Sequence, residues 1–167
     1  MTLFRSVETL VVTNNGRAWF VLRASLLAIA PSLLVFGVLI ALGIDTLRAP
    51  PIALDPVFIA YSVLLAPAIE TAVMLALAAA LAHLVPKRAA LQIVLVAFGA
   101  ALAHRIGGSW RQVMDVTWPI LVYATSLVLW LRRSASDAFI VTTIVHTLYN
   151  AAFFAVGILG QLAMSDG

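Results

Sequence analysis

Four polar side chains sit where the sequence is otherwise hostile to them. Glu70 follows about 14 uncharged residues and precedes about 12 more before His83, too deep in an apolar run for its short side chain to reach a polar surface. His104 closes a later apolar run, and His146 and Asn150 lie inside the last one. The last two are four residues apart, so a helix puts them on one face, a turn from each other. A carboxylate beside an imidazole can take a proton from water and later return it. A His and Asn pair on one face can donate hydrogen bonds to a developing oxyanion. Alternatively, Glu70, His104 and His146 can ligate a divalent ion such as zinc and leave a position open for water. Either use of these groups predicts hydrolysis of an amide bond inside a membrane.

Each group also has a plainer reading. Glu70 can be a buried acid bonded to a hydroxyl or to the main chain. His104 can cap its helix beside Arg105, and His146 with Asn150 can bridge two helices. His83, beside the turn Pro86-Lys87-Arg88, reads as interfacial. Arg23 reads as a snorkelling side chain, and Trp110, Trp118 and Trp130 as interface anchors.

The elements that must hold these groups are legible in the composition. The chain has 167 residues, 63% hydrophobic and 10% charged, more apolar surface than one water-soluble core of this size can hide. Five apolar runs stand out, at about 19–44, 56–85, 89–106, 116–131 and 138–164, each near the ~20 residues that cross the hydrocarbon layer. In lipid such runs must be helices, because free main-chain groups find no partners there. The expected fold is therefore an all-α, polytopic transmembrane bundle of about five segments, one domain over 1–167. The first run is too long for a signal-peptide core and reads as a retained span. Pro67, three residues before Glu70, marks a kink site.

There is no cysteine, which excludes disulfides, thiolate metal sites and a cysteine nucleophile. The formal net charge of +3 is concentrated between the apolar runs, as topology requires, and points to lipid rather than nucleic acid. Arg5, Arg17, Arg23, Lys87, Arg88, Arg132 and Arg133 fall on one side, against Arg48, Arg105 and Arg111 on the other. The N-terminus is thus expected in the cytoplasm. At 1.5 Å per residue, Glu70 lies about 20 Å and His146 about 13 Å along their antiparallel helices, both near the midplane. His104 falls about half a leaflet away, toward the outer end of its helix, a gap that tilting or kinking would have to close.

At these residues the sequence resembles the CAAX protease and bacteriocin-processing family of intramembrane endopeptidases, also called Abi proteins. That family carries Glu-Glu-x-x-x-Arg, commonly after a proline, then Phe-x-x-x-His, then His-x-x-x-Asn, each on its own membrane helix. The third motif is intact as His146-Thr147-Leu148-Tyr149-Asn150, approached through Arg132-Arg133-Ser134. The second is Ala100-Ala101-Leu102-Ala103-His104, with alanine for the usual Phe and Phe98 nearby. The first is Ala66-Pro67-Ala68-Ile69-Glu70-Thr71, with Thr71 for the second Glu and Leu75 for the Arg. The resemblance covers about 56–160, which divides the chain into a tail and first span (1–55) and a family-like core (56–164).

The resemblance implies a peptidase of a bacterial plasma membrane, acting on a membrane-associated peptide or protein, in some members a lipid-anchored one. Glu70 would activate water, His104 would assist it or position the water, and His146 with Asn150 would form the oxyanion site. A metal-free reaction is expected, with zinc on Glu70, His104 and His146 as the alternative. Two other classes stay open: a catalytically silent scaffold or immunity protein, favoured by Thr71 and Leu75, and a proton-coupled transporter, which a midplane Glu with histidines also describes.

Overall fold

The computed structural model describes residues 16–42, 55–107 and 110–165. They form five helices and, among the described residues, no strand: α1 (Gly16–Ala41), α2 (Pro56–Leu84), α3 (Ala89–Gly107), α4 (Trp110–Leu131) and α5 (Ala135–Ser165). Four of them are long and apolar enough to cross a membrane; the apolar part of α4, Asp115–Leu131, is shorter. The chain is a polytopic helical membrane bundle. Residues 43–44 of the expected first span, together with Arg5, Asp45 and Arg48, lie outside the described residues.

α4 is the hub. It packs against each of the other four helices, which neighbour one another in the order α3, α2, α5, α1. Ile120, Val122, Tyr123, Ala124, Leu127, Val128 and Trp130 bury most of its circumference, so its short apolar stretch is shielded largely by protein. The others bury one stripe each. On α5 it is Ala138, Val141, Thr142, Val145 and His146; on α2 it is Pro67, Thr71, Met74 and Ala78. These are helical spacings, and the alanines let main chains approach closely where dispersion and shape must drive association. At Gly99 on α3 the packing is tight: a Cβ there would meet Leu77 Cδ2 of α2 at 3.0 Å.

Two prolines shape how helices are tied together. Pro31 lies inside α1 and has no N–H for the carbonyl four residues back, Leu27 O. The Trp118 indole Nε1 on α4 donates to that oxygen at 2.8 Å. Pro67 acts similarly in α2, where residues Tyr61–Leu65 wind as a π turn and the Ala66 N–H donates five residues back, to Tyr61 O. Ser62 O then loses its α-helical donor, and the next residue able to reach it is Pro67, which has none. Asn150 Nδ2 on α5 donates to Ser62 O at 3.0 Å. The expected kink at Pro67 is thus a π turn whose open carbonyl is closed from another helix.

The turns at the opposite end are capped. Ser134 Oγ accepts from the Asp137 N–H at 2.9 Å at the start of α5, an N-cap in its preferred chemistry. Asp137 pairs with Arg17 at 2.5 Å, joining the first turns of α1 and α5. Between α2 and α3, Gln92 Nε2 donates to Val85 O at 2.8 Å. Trp130 departs from the interface-anchor reading: it is buried, edge-on to Phe20 at 5.5 Å, with Arg133 over its ring. Trp118 is 40% exposed, and Arg23 lies over Trp19.

Candidate active site

Glu70, His104 and His146 converge from three helices. Glu70 Oε2 lies 3.7 Å from His104 Nε2 and 3.6 Å from His146 Nε2. The buried stripe of α5 runs straight into this cluster, because His146 is its next member after Val145 and Thr142. Glu70 stands between Pro67 and Thr71, the first two buried positions of α2, in the first packed turn after the π turn. His104 belongs to the last turn of α3. α3 is short and ends at this level, so the half-leaflet gap expected from counting along the sequence does not exist.

The imidazoles are held differently. His104 Nδ1 lies 2.9 Å from Ala100 O one turn back. A carbonyl only accepts, so Nδ1 carries a proton, and Nε2 is the ring nitrogen turned toward Glu70. His146 is fixed by stacking: its ring lies 4.3 Å from that of Tyr123, inclined at 26°. Its Nδ1, like the Tyr123 hydroxyl, is buried without a hydrogen-bond partner. Tyr149 packs edge-on to Tyr123 at 6.2 Å and on Phe153 at 4.6 Å.

Exposure falls across the cluster. The side chain of Glu70 is 40% exposed, that of His104 24% and that of His146 7%. The carboxylate is therefore at the open side, with His146 as the floor. Both Glu–His separations exceed direct hydrogen-bonding distance and suit groups that share a small polar ligand between them.

Three of the four residues singled out in the sequence meet here, Glu70, His104 and His146. Asn150 lies one turn beyond His146, and its amide is engaged with Ser62 O. His83 is exposed in the last turn of α2, remote from Glu70 along that helix. Thr71 is fully buried with its hydroxyl unpartnered, and Leu75 packs against the core. Tyr123 was not anticipated; the only signal for it was its place in an apolar run facing the histidine helix.

As a zinc site the cluster fits poorly. The separations of 3.6 and 3.7 Å exceed the about 3.3 Å between neighbouring ligands of a tetrahedral zinc ion. His146 Nδ1, which a metal-bound histidine would turn to a second group, has no such partner. Among the described residues, no group of three His, Cys, Asp or Glu side chains is arranged to hold an ion. Comparison with family models, with curated proteins and with solved structures gives no match.

Proposed function

We propose that this chain is an intramembrane endopeptidase that hydrolyses a peptide bond of a membrane-associated peptide or protein, as the family it resembles does. The observation that carries the reading is the convergence of Glu70, His104 and His146, from three helices, within 3.7 Å of one carboxylate oxygen. Bringing ionisable groups together in an apolar bundle is costly and is a mark of function by default.

The chemistry follows from the hydrogen-bonding roles. With His104 neutral and its proton on Nδ1, a water molecule between Glu70 Oε2 and His104 Nε2 donates one hydrogen to each. As its oxygen attacks the substrate carbonyl carbon, Glu70 takes one proton. His146, with its proton on Nε2, donates to the oxygen on which negative charge develops. Collapse of the tetrahedral intermediate breaks the C–N bond, and Glu70 returns the proton to the leaving amine. No step requires a metal ion. The site would open at the exposed side of Glu70, and the membrane supplies the substrate by lateral diffusion.

A catalytically silent scaffold is the second reading, and Thr71 and Leu75 favour it by removing the family's second acid and its arginine. A peptidase assay in liposomes with membrane-anchored peptides separates the two. Glu70→Gln keeps the shape and removes the base, so cleavage should drop by about 10²–10⁴-fold, with a comparable loss for His146→Ala and no effect of chelator. Loss on chelation restored by zinc would sink the metal-free mechanism. No cleavage by a folded wild-type protein would move the assignment to the scaffold.

A further inference from the structure

We infer that Asn150 is a positioning residue: its carboxamide closes the carbonyl left open by Pro67 and the π turn, and so holds α2 in the register that keeps Glu70 between the two imidazoles. The kinetic consequence rests on the peptidase reading; the structural role does not.

The local chemistry gives the residue its task. Ala66 N–H goes to Tyr61 O, and Pro67 offers no N–H, so α2 itself brings no donor to Ser62 O. In an apolar bundle an unmade main-chain bond is expensive, and a side chain from a neighbouring helix is the usual remedy. Asn150 Nδ2 is 3.0 Å from Ser62 O across 88 residues of sequence. Because the acceptor is a carbonyl, the amide must present its nitrogen there.

The consequence for Glu70 comes from what else secures that part of α2. Neither Pro56–Ala60 nor Tyr61–Leu65 contains a buried residue. Val57 is 75% exposed and Leu64 59%. The Phe58–Phe154 ring contact at 6.1 Å is a loose second tether. The buried stripe begins only at Pro67, so Glu70 lies in the outermost packed turn. Contact between Ser62 and Asn150, two turns before Glu70 and one turn after His146, gives the antiparallel pair α2 and α5 a second fixed point. A π turn inserts one extra residue, and its loss would rotate one part of α2 against the other by about 100°. Asn150 stabilises the turn that sets this angle.

One amide hydrogen of Asn150 is committed to Ser62, so a direct part in oxyanion binding would have to use the other. A double-mutant cycle tells the two roles apart. In Pro67→Ala the new N–H can reach Ser62 O in the π turn, or Val63 O while Ala66 returns to Ser62 O in a regular helix. Either way the need for Asn150 disappears. The full-length protein in detergent would be measured as wild type, N150A, P67A and P67A/N150A. The readouts are the thermal midpoint, the infrared band of the Glu70 carboxyl group (assigned by its loss in E70Q) and peptide cleavage.

The expected result is that N150A lowers the midpoint by about 2–4 °C and shifts the Glu70 band. Adding P67A should reverse at least half of both changes, and of any loss in cleavage. Strict additivity of the two substitutions overturns the inference. So does a loss of cleavage in N150A with an unshifted band and the same loss in the P67A background, which would make Asn150 a catalytic donor. If N150A does not fold, recovery of folding in P67A/N150A supports the inference and failure in both overturns it. If the wild type cleaves nothing, coupled midpoints and bands uphold the positioning role while the peptidase reading falls.

Discussion

Tyr123 shows how an aromatic side chain can fix a buried histidine without hydrogen-bonding to it. Its ring stacks on His146, yet its hydroxyl is buried with no hydrogen-bond partner. A polar group in that state gives back less than its removal from polar surroundings costs. Tyr123→Phe keeps the stack and removes the unpartnered oxygen, so it should leave the protein as stable as wild type or up to about 1 kcal/mol more stable. Tyr123→Ala loses the stack and opens a cavity beside His146 and Tyr149, and should cost about 3–5 kcal/mol. Thermal unfolding of both variants in detergent checks the pair. A clear destabilisation by Tyr123→Phe would mean that the hydroxyl has a partner in the working protein. His146 itself needs the ring in either case, because its Nδ1 has no hydrogen bond to orient it.

At the scale of the elements, prolines decide how helices are joined. Leu27 O on α1 is free because Pro31 has no N–H, and Trp118 on α4 closes it. Trp118→Phe should therefore weaken the α1–α4 contact by about 0.6–2 kcal/mol, the usual worth of an interhelical hydrogen bond in a membrane protein. Pro31→Ala should reduce that loss by restoring an intrahelical donor. Unfolding titrations of the two single variants and the double variant measure the coupling, and a loss unchanged by Pro31→Ala would rule out this account. The five apolar runs foretold the helices because lipid leaves the backbone no other choice. Their ends shifted where polar capping residues lie outside the apolar run, as with Ser134 and Asp137 at the start of α5. Glu70 and His146 were legible as ionisable groups deep in such runs. His104 looked misplaced because its depth was counted as if every helix spanned the same thickness, whereas α3 ends at the level of Glu70. The partner of Asn150 could not be read at all: Pro67 signalled a disturbance, but a freed carbonyl has no signature until the π turn assigns it to Ser62. Trp130 was misread because an aromatic near a helix end looks the same facing lipid or facing Phe20.

For the whole molecule, the placement of charge predicts which way the bundle faces. The end formed by the first turns of α1 and α5 and the α2–α3 turn carries Arg17, Arg23, Lys87, Arg88, Arg132 and Arg133. The opposite end carries Arg105 at the close of α3, the end nearer the candidate site. Short loops rich in Lys and Arg stay in the cytoplasm, so the basic end should be inside and the end of α3 outside. The absence of cysteine makes this directly measurable, since single cysteines can be introduced without background. Lys87→Cys and Ser136→Cys lie at exposed positions of the basic end, and Leu42→Cys and Ile106→Cys at exposed positions of the other. A membrane-impermeant maleimide should label Leu42→Cys and Ile106→Cys in intact bacterial cells, and the other two only after permeabilisation. The reverse pattern would turn the open side of Glu70 toward the cytoplasm, where a lipid-anchored C-terminus would present itself, and would narrow the substrate class accordingly. Labelling that divides either pair would contradict the alternating path of the five helices. Because His104 sits in the last turn of α3, the compartment that labels Ile106→Cys is also the one on the side of the Glu70, His104 and His146 cluster.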